Sequence, residues 1–287
     1  MTIENQARGA PMTWEAAVQW LRDQPERGDL VAACYYDDPI DAAARRFARG
    51  EEWRAVLRLL GAHGTGRALD VGAGRGISSF ALAEAGYAVT ALEPDPSAMV
   101  GAGSIRRLSA LTGATINVVE EWGESLPFPD GAFDLVYGRA VLHHARDLGD
   151  FCREAARVVK VGGRVLFTRE HVISRHGDLE SFLGAHPLHA LYGGEHAYLL
   201  SEYLDALRTA GLTVRAVLTP HQSPINHYPM TEATVADLVR PGLVNRLGPR
   251  LGSRIARSRT VQRLWARHLD RTLDTPGRLY SFLATRG

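Results

Sequence analysis

From residue 67 onward, short β-branched apolar runs alternate with longer stretches of helical spacing. Arg67–Val71, Ala88–Leu92, Ala114–Val119, Phe133–Tyr137 and Arg164–Thr168 read as five successive strands. Phe80–Ala85 and Phe151–Val159 carry apolar residues at helical spacing between them, and Gly162-Gly163 breaks the chain before the fifth run. Leu212–Leu218 and, much later, Arg278–Thr285 add a terminal hairpin-like pair. Strands alternating with helices bury both faces of a mostly parallel sheet. The pattern therefore predicts an α/β fold, a seven-stranded doubly wound, Rossmann-like sheet.

The flanks read differently. Trp14–Leu21 and Asp41–Leu60 look helical and are joined by a turn-rich segment containing Cys34-Tyr35-Tyr36-Asp37-Asp38-Pro39. This is an N-terminal helical cap, either packed on the sheet edge or acting as a lid that touches ligand. Thr231–Pro276 is helical in pattern and carries nine arginines from Arg240 to Arg271 at mixed spacing, with Trp265 as the one aromatic among them. A solvated face or an oligomer contact, as in a homodimer, suits that spacing better than an anionic groove. The expected organisation is a cap over 1–62, an α/β core over 63–219, a helical insertion over 220–276 and a final core strand over 277–287.

Composition narrows the function classes. The 287 residues are 45% hydrophobic and 23% charged, with a formal net charge of +1, so nothing global draws the chain to nucleic acid or to an anionic membrane. Cys34 and Cys152 lie far apart without CxxC or Cys/His ligand spacing, which supports neither a disulfide framework nor a zinc site. No apolar run reaches 18 residues, and a reducing cytoplasmic location is expected.

Chemistry begins at Leu69-Asp70-Val71-Gly72-Ala73-Gly74-Arg75-Gly76. A strand that ends in Asp and turns through glycines into a helix brings backbone close to a ligand. The glycines fall as GxGxG rather than GxGxxG, and Asp70 would repel a pyrophosphate, so a ligand bearing an ammonium group fits better. The second strand ends in Glu93-Pro94-Asp95, where an acid can accept hydrogen bonds from ribose hydroxyls.

From about Arg67 to Thr168 the chain resembles the class I S-adenosylmethionine (SAM)-dependent methyltransferases, particularly the ubiquinone and menaquinone branch. Four stretches carry the resemblance: the glycine loop, Leu126-Pro127-Phe128-Pro129-Asp130-Gly131-Ala132-Phe133-Asp134, Val141-Leu142-His143-His144, and Arg157-Val158-Val159-Lys160-Val161-Gly162-Gly163. The resemblance implies SAM as cofactor. Asp70, Gly72 and Gly74 then lie along its methionine portion, Glu93 with Pro94 holds the ribose, and Arg139 approaches the methionine end through its backbone. Trp122-Gly123-Glu124 stands where family members often read Asp-Ala-Glu before the LeuProPhe element, so either Glu121 takes over the aspartate's contact with the adenine amine or, the favoured reading, the indole packs on the purine.

Methyl transfer requires an acceptor held in line, water excluded and a proton removed where needed. His143 and His144 follow the fourth strand; Glu170 and His171 follow the fifth. His171 with Glu170 is the favoured acid–base pair, His144 is a further catalytic candidate, and one of the two adjacent histidines is expected to be structural or cofactor-side. Tyr35 and Tyr36 are expected to face the sulfonium or the acceptor. The loop from His186 to Tyr198 can shape an acceptor pocket; no metal is expected, because no helix pairs histidines at i, i+4 with a third ligand nearby. The sequence thus points to a SAM-dependent methyltransferase acting on a small molecule (a metabolite, sugar or natural-product intermediate), with neither nucleic acid nor membrane as partner. A SAM-consuming lyase or cyclase that releases methylthioadenosine, and a SAM-binding protein without turnover, are the alternatives.

Overall fold

The computed structural model describes residues 12–61, 66–193 and 195–287. Eight strands form one mixed sheet: β1 (Arg67–Val71), β2 (Ala88–Leu92), β3 (Ile116–Val119), β4 (Phe133–Arg139), β5 (Val159–Ile173), β6 (Tyr198–Leu199), β7 (Leu212–Leu218) and β8 (Arg278–Arg286). Their order is β3-β2-β1-β4-β5-β8-β7, with the short β6 paired to the end of β5. Contacts among β1 to β6 are parallel, whereas β8 runs antiparallel to both β5 and β7.

Side chains along each central strand point alternately to two apolar layers, as the period of two demands. Leu69, Val71, Val136, Val165 and Phe167 pack on one face with Phe151, Cys152, Tyr203 and Leu207. Ala68, Leu135, Tyr137 and Leu166 pack on the other with Phe47, Trp53 and Phe80. Asp70 is the exception, a fully buried carboxylate in an otherwise apolar strand. The chain walks outward from β1 to β3 and then returns to place β4 on the other side of β1, so the carboxyl ends of β1, β4 and β5 border a crevice at the switch point.

The sheet has eight strands where seven were expected, the added one being the two-residue β6, and three further elements depart from the sequence expectation. The run Asp41–Leu60 is two helices, Ile40–Ala48 and Glu51–Leu60, because Gly50 adopts an extended conformation and caps the second. Thr231–Pro276 forms three helices, Glu232–Leu247, Pro249–Ala256 and Arg259–Thr272. Gly162-Gly163 does not break the chain before the fifth strand: Gly162 takes φ 76° inside β5 and the register with β4 shifts there, so the strand already begins at Val159, and at its other end it runs past Thr168 to Ile173. Glu170 and His171 consequently lie within β5 and do not follow it. Among the described residues no helix is long and apolar enough to cross a membrane.

Candidate active site

One cavity of about 820 Å³ occupies the crevice and extends beneath the cap. Gly72, Gly74, Glu93, Pro94, Trp122 and Gly123 line one end; Tyr36, His143, His144, His171, His189 and Glu195 line the other.

At the first end, Gly72 and Gly74 have φ of 66° and 52°, the left-handed region that glycine enters without strain. The loop's amides are already used: Gly72 and Ala73 donate to the Leu92 carbonyl, and Gly74 donates to Glu93 Oε2 at 2.7 Å. What the loop offers a ligand is therefore carbonyl oxygen rather than N–H, which suits an ammonium group and not a phosphate. Asp95 N donates to the other Glu93 oxygen at 3.0 Å. Burial lifts the Glu93 carboxyl to about 7, against these two amide bonds. Trp122 lies at the rim, its indole face covered by the Arg146 guanidinium 3.6 Å from the ring centroid.

Asp70 departs from the expected contact with the ligand. It is absent from the cavity wall; its Oδ2 accepts from Ser78 Oγ at 2.8 Å and Ser79 Oγ at 2.6 Å, anchoring the first turn of the helix Ile77–Glu84. Among the described residues its Oδ1 has no hydrogen-bond partner, and burial raises its carboxyl to about 6. Asp70 thus supports the loop from below.

Two arginines fasten the cap to this end. Arg75, within the glycine loop, donates to the carbonyls of Tyr35 (2.6 Å), Asp37 (2.9 Å) and Met99 (3.0 Å) and to Asp38 Oδ1 (2.8 Å). Arg139, at the end of β4, makes a two-point pair with buried Glu52 at 2.7 and 3.1 Å, and its guanidinium lies 5.4 Å from the Tyr35 ring and 5.5 Å from that of Phe47. The Arg139 side chain therefore serves the cap, beyond the backbone role expected of it. Tyr35 lines the cavity while stacking on Tyr228 at 5.4 Å, and Tyr36 meets Trp14 edge-on at 5.9 Å.

At the second end, Glu170 does not face the cavity. Fully buried, it accepts from the amides of Val141 (3.1 Å) and His143 (3.2 Å) and pairs with His143 Nδ1 at 2.7 Å. It is a positioning residue for His143, not the partner of His171, whose Nδ1 instead donates to the Gly277 carbonyl at 2.7 Å. Glu195 Oε1 stands 3.4 Å from His143 Nε2 and 3.4 Å from His189 Nε2, and Glu195 Oε2 stands 3.5 Å from His144 Nδ1. Burial drives His143 and His144 down to about 3 and His189 to about 4, and lifts Glu195 to about 8. All three imidazoles are accordingly neutral. The expectation of no metal set also changes: His143, His171 and Glu195 each bring a donor atom to within 4.8 Å of the others. They come from a turn, a strand and a loop, so no local spacing in the sequence announces them.

Residues 69–167 match a family model described as "Methyltransferase domain". That stretch, about a third of the chain, is similar to the class I SAM-dependent methyltransferases. The cofactor of that family is SAM, and the ammonium-suited loop, the Glu93 carboxylate and the close packing at Gly72 and Gly123, where a Cβ would stand 2.3 and 2.2 Å from a neighbour, form a site that fits it. A demethylmenaquinone methyltransferase of Tropheryma whipplei is 33% identical over 122 residues, which cover 42% of this chain and 48% of that protein, so the chain spans about half the length of this curated relative. Among solved structures, geranyl diphosphate C-methyltransferase from Streptomyces coelicolor, in complex with Mg2+, geranyl diphosphate and S-adenosyl-L-homocysteine, aligns with a TM-score of 0.57 at 17% identity, covering 97% of this chain and 90% of that one. A geranyl diphosphate methyltransferase in complex with SAM aligns with a TM-score of 0.57 at 19% identity, covering 97% of each chain. These structures establish a shared fold.

Sequence reasoning passed over three contributors. His143 stood behind His144 and His171, although its turn carries the family-like Val-Leu-His-His signal. Glu195 and His189 were included only within the His186–Tyr198 loop as a whole. Their convergence on His143 depends on how the helix Pro187–Tyr192 folds back over the strand ends.

Proposed function

We propose that this protein transfers the methyl group of SAM to a small-molecule acceptor bound beside the His143, His171 and Glu195 cluster. The observation that carries this reading is the single cavity joining the glycine loop and Glu93 to that cluster. Its volume, about 820 Å³, lies within the roughly 300–1,000 Å³ of small-molecule sites. Bound SAM supplies an electrophilic methyl on its sulfonium. The chain's own part is to hold, orient and dry the reactants: Gly72 and Gly74 receive the methionine portion, Glu93 the ribose, and Trp122 with Gly123 the purine. Tyr36 and the neighbouring Trp14 offer aromatic faces to a cation that has left water. His171 Nε2, the nitrogen left free by the Gly277 bond, is the site at which an acceptor proton can be taken. The test is mass spectrometry of the protein with SAM and a fractionated cell extract. Appearance of S-adenosylhomocysteine together with a product heavier by one methyl supports the reading, whereas methylthioadenosine marks lyase or cyclase chemistry and unchanged SAM marks a binding protein.

Glu93→Ala is expected to weaken SAM by about 1.5–3 kcal/mol, the cost of losing charge-assisted hydrogen bonds. Because the Glu93 carboxyl titrates at about 7, its acceptor form is depleted below that pH. SAM affinity should therefore fall by up to about tenfold from pH 8 to pH 6. Glu93→Gln should flatten the profile in calorimetric titrations, and a slope that survives the substitution removes Glu93 from the binding step.

Tyr36→Leu keeps apolar volume beside Trp14 but removes the ring and hydroxyl. Turnover is expected to drop about tenfold, with the thermal midpoint within a few degrees of wild type. Unchanged kcat would make Tyr36 merely part of the cap's packing.

A further inference from the structure

We propose that His143, His171 and Glu195 bind a divalent first-row transition ion, with His189 as a fourth donor. Nothing in this inference requires methyl transfer, although the ion would sit in the chamber assigned above to the acceptor and would take up the His171 Nε2 lone pair, which in the loaded protein no longer serves as a base.

The two imidazoles are prepared as ligands. The Gly277 carbonyl can only accept, so the 2.7 Å contact assigns the proton of His171 to Nδ1 and leaves Nε2 with its lone pair. Glu170, which also accepts two backbone amides, does the same for His143 at 2.7 Å. Histidines that hold metals characteristically donate their second nitrogen to a carboxylate or carbonyl, an arrangement that fixes the tautomer and raises the basicity of the other nitrogen. Here it occurs twice, on two different elements, with both rings lining one cavity.

The third donor faces them without a hydrogen bond to explain it. Glu195 is buried, and its Oε1 stands 3.4 Å from His143 Nε2, well beyond the roughly 2.5–3.0 Å at which a carboxyl O–H would hydrogen-bond to that nitrogen. The same oxygen lies 3.4 Å from His189 Nε2. Two donors each about 2.0–2.1 Å from a tetrahedral ion subtend about 3.4 Å, so both contacts already have the spacing that a shared cation imposes. The donors of His143, His171 and Glu195 all lie within 4.8 Å of one another, and the widest pair needs to close by at most about 1.4 Å. Two or three imidazoles with one carboxylate form a borderline donor set, suited to Zn2+, Fe2+ or Co2+ and poor for Mg2+ or Ca2+. The cavity leaves a coordination position open towards the acceptor chamber, where an oxygen-bearing small molecule can complete the shell.

The experiment strips the full chain with chelator and titrates Co2+, following its visible absorption, with Zn2+ as competitor. One ion per chain is expected, with the intense bands of four- or five-coordinate Co2+. His143→Gln and Glu195→Gln should each weaken binding about 100-fold or more, and Glu170→Gln, which alters only the support of His143, about 10–100-fold. His176→Gln, on an exposed histidine outside the cluster, should leave affinity unchanged. Should the cluster variants fold poorly, Co2+-loaded wild type provides an independent readout: two hyperfine-shifted, slowly exchanging imidazole N–H signals, those of His143 and His171. Absence of stoichiometric uptake, uptake indifferent to both cluster substitutions, or a spectrum without those two signals overturns the proposal. Calorimetry with SAM on the metal-free chain separates the two readings, since intact SAM binding without metal uptake sinks this inference alone, and metal uptake without SAM binding sinks the methyl-transfer reading alone.

Discussion

Arg75→Ala is expected to lower folding stability by about 3–4 kcal/mol, with the N-terminal cap released ahead of the sheet. The guanidinium is almost fully buried and satisfies three backbone carbonyls, those of Tyr35, Asp37 and Met99, as well as the Asp38 carboxylate. Alanine leaves those acceptors without a donor, and each buried acceptor so abandoned costs about 1–3 kcal/mol, less where water can reach it. Asp38 keeps its contacts with Arg22 and Arg107, so the loss falls on the carbonyls. Arg75→Lys should recover less than half, because one ammonium cannot reproduce a planar fork spanning three carbonyls. Denaturant titration gives the magnitude, and hydrogen exchange over residues 14–39 gives the location. A loss below about 1 kcal/mol, or exchange that rises evenly across the chain, would contradict the fastening described here.

Gly72→Val is expected to cost about 2–5 kcal/mol of stability and to leave SAM turnover at least a hundredfold lower. A Cβ on Gly72 would stand 2.3 Å from Val141 Cγ2, at a φ of 66° that β-branched residues avoid. Relief requires either the loop or the Val141 turn to move, and that turn carries His143. Gly74→Ala provides the contrast: the nearest atom to its Cβ is the Val100 carbonyl oxygen at 3.8 Å, so only backbone strain remains. Thermal unfolding should rank Gly72→Ala below Gly74→Ala, and the reverse order would mean that Val141 does not limit the loop.

The sheet was legible because its central strands are short apolar runs closed by glycine or acid. Arg67–Val71 and Ala88–Leu92 appear in the structure at the bounds read from sequence. The start of the fifth strand was placed too late because a glycine pair looks the same whether it separates two elements or allows a shift of register within one strand, and Gly162 does the latter. The position of Glu93 beside the cavity was legible because it depends only on where β2 ends, a local matter. Asp70 and Glu170 could not be assigned correctly: each sits at a strand position that suggests a ligand contact, and each is spent on neighbours, Ser78 and Ser79 in one case and the Val141–His143 turn in the other. The cluster of His143, His171 and Glu195 was invisible for a different reason. Its members are 28 and 24 residues apart in sequence, and only the tertiary course of the chain makes them neighbours.

The insertion of β8 between β5 and β7 has a consequence for the order of events during synthesis. The elements around Gly72 and Glu93 emerge from the ribosome some two hundred residues before Arg278–Arg286, and can pair as a parallel sheet while translation continues. The carbonyl that orients His171, however, belongs to Gly277, at the mouth of β8. Until that strand arrives, β5 and β7 each present a bare edge and His171 has no fixed tautomer. A nascent chain can thus acquire its cofactor cradle well before its second chamber is set, and a ribosome stalled short of residue 277 would display a protein with the former and without the latter.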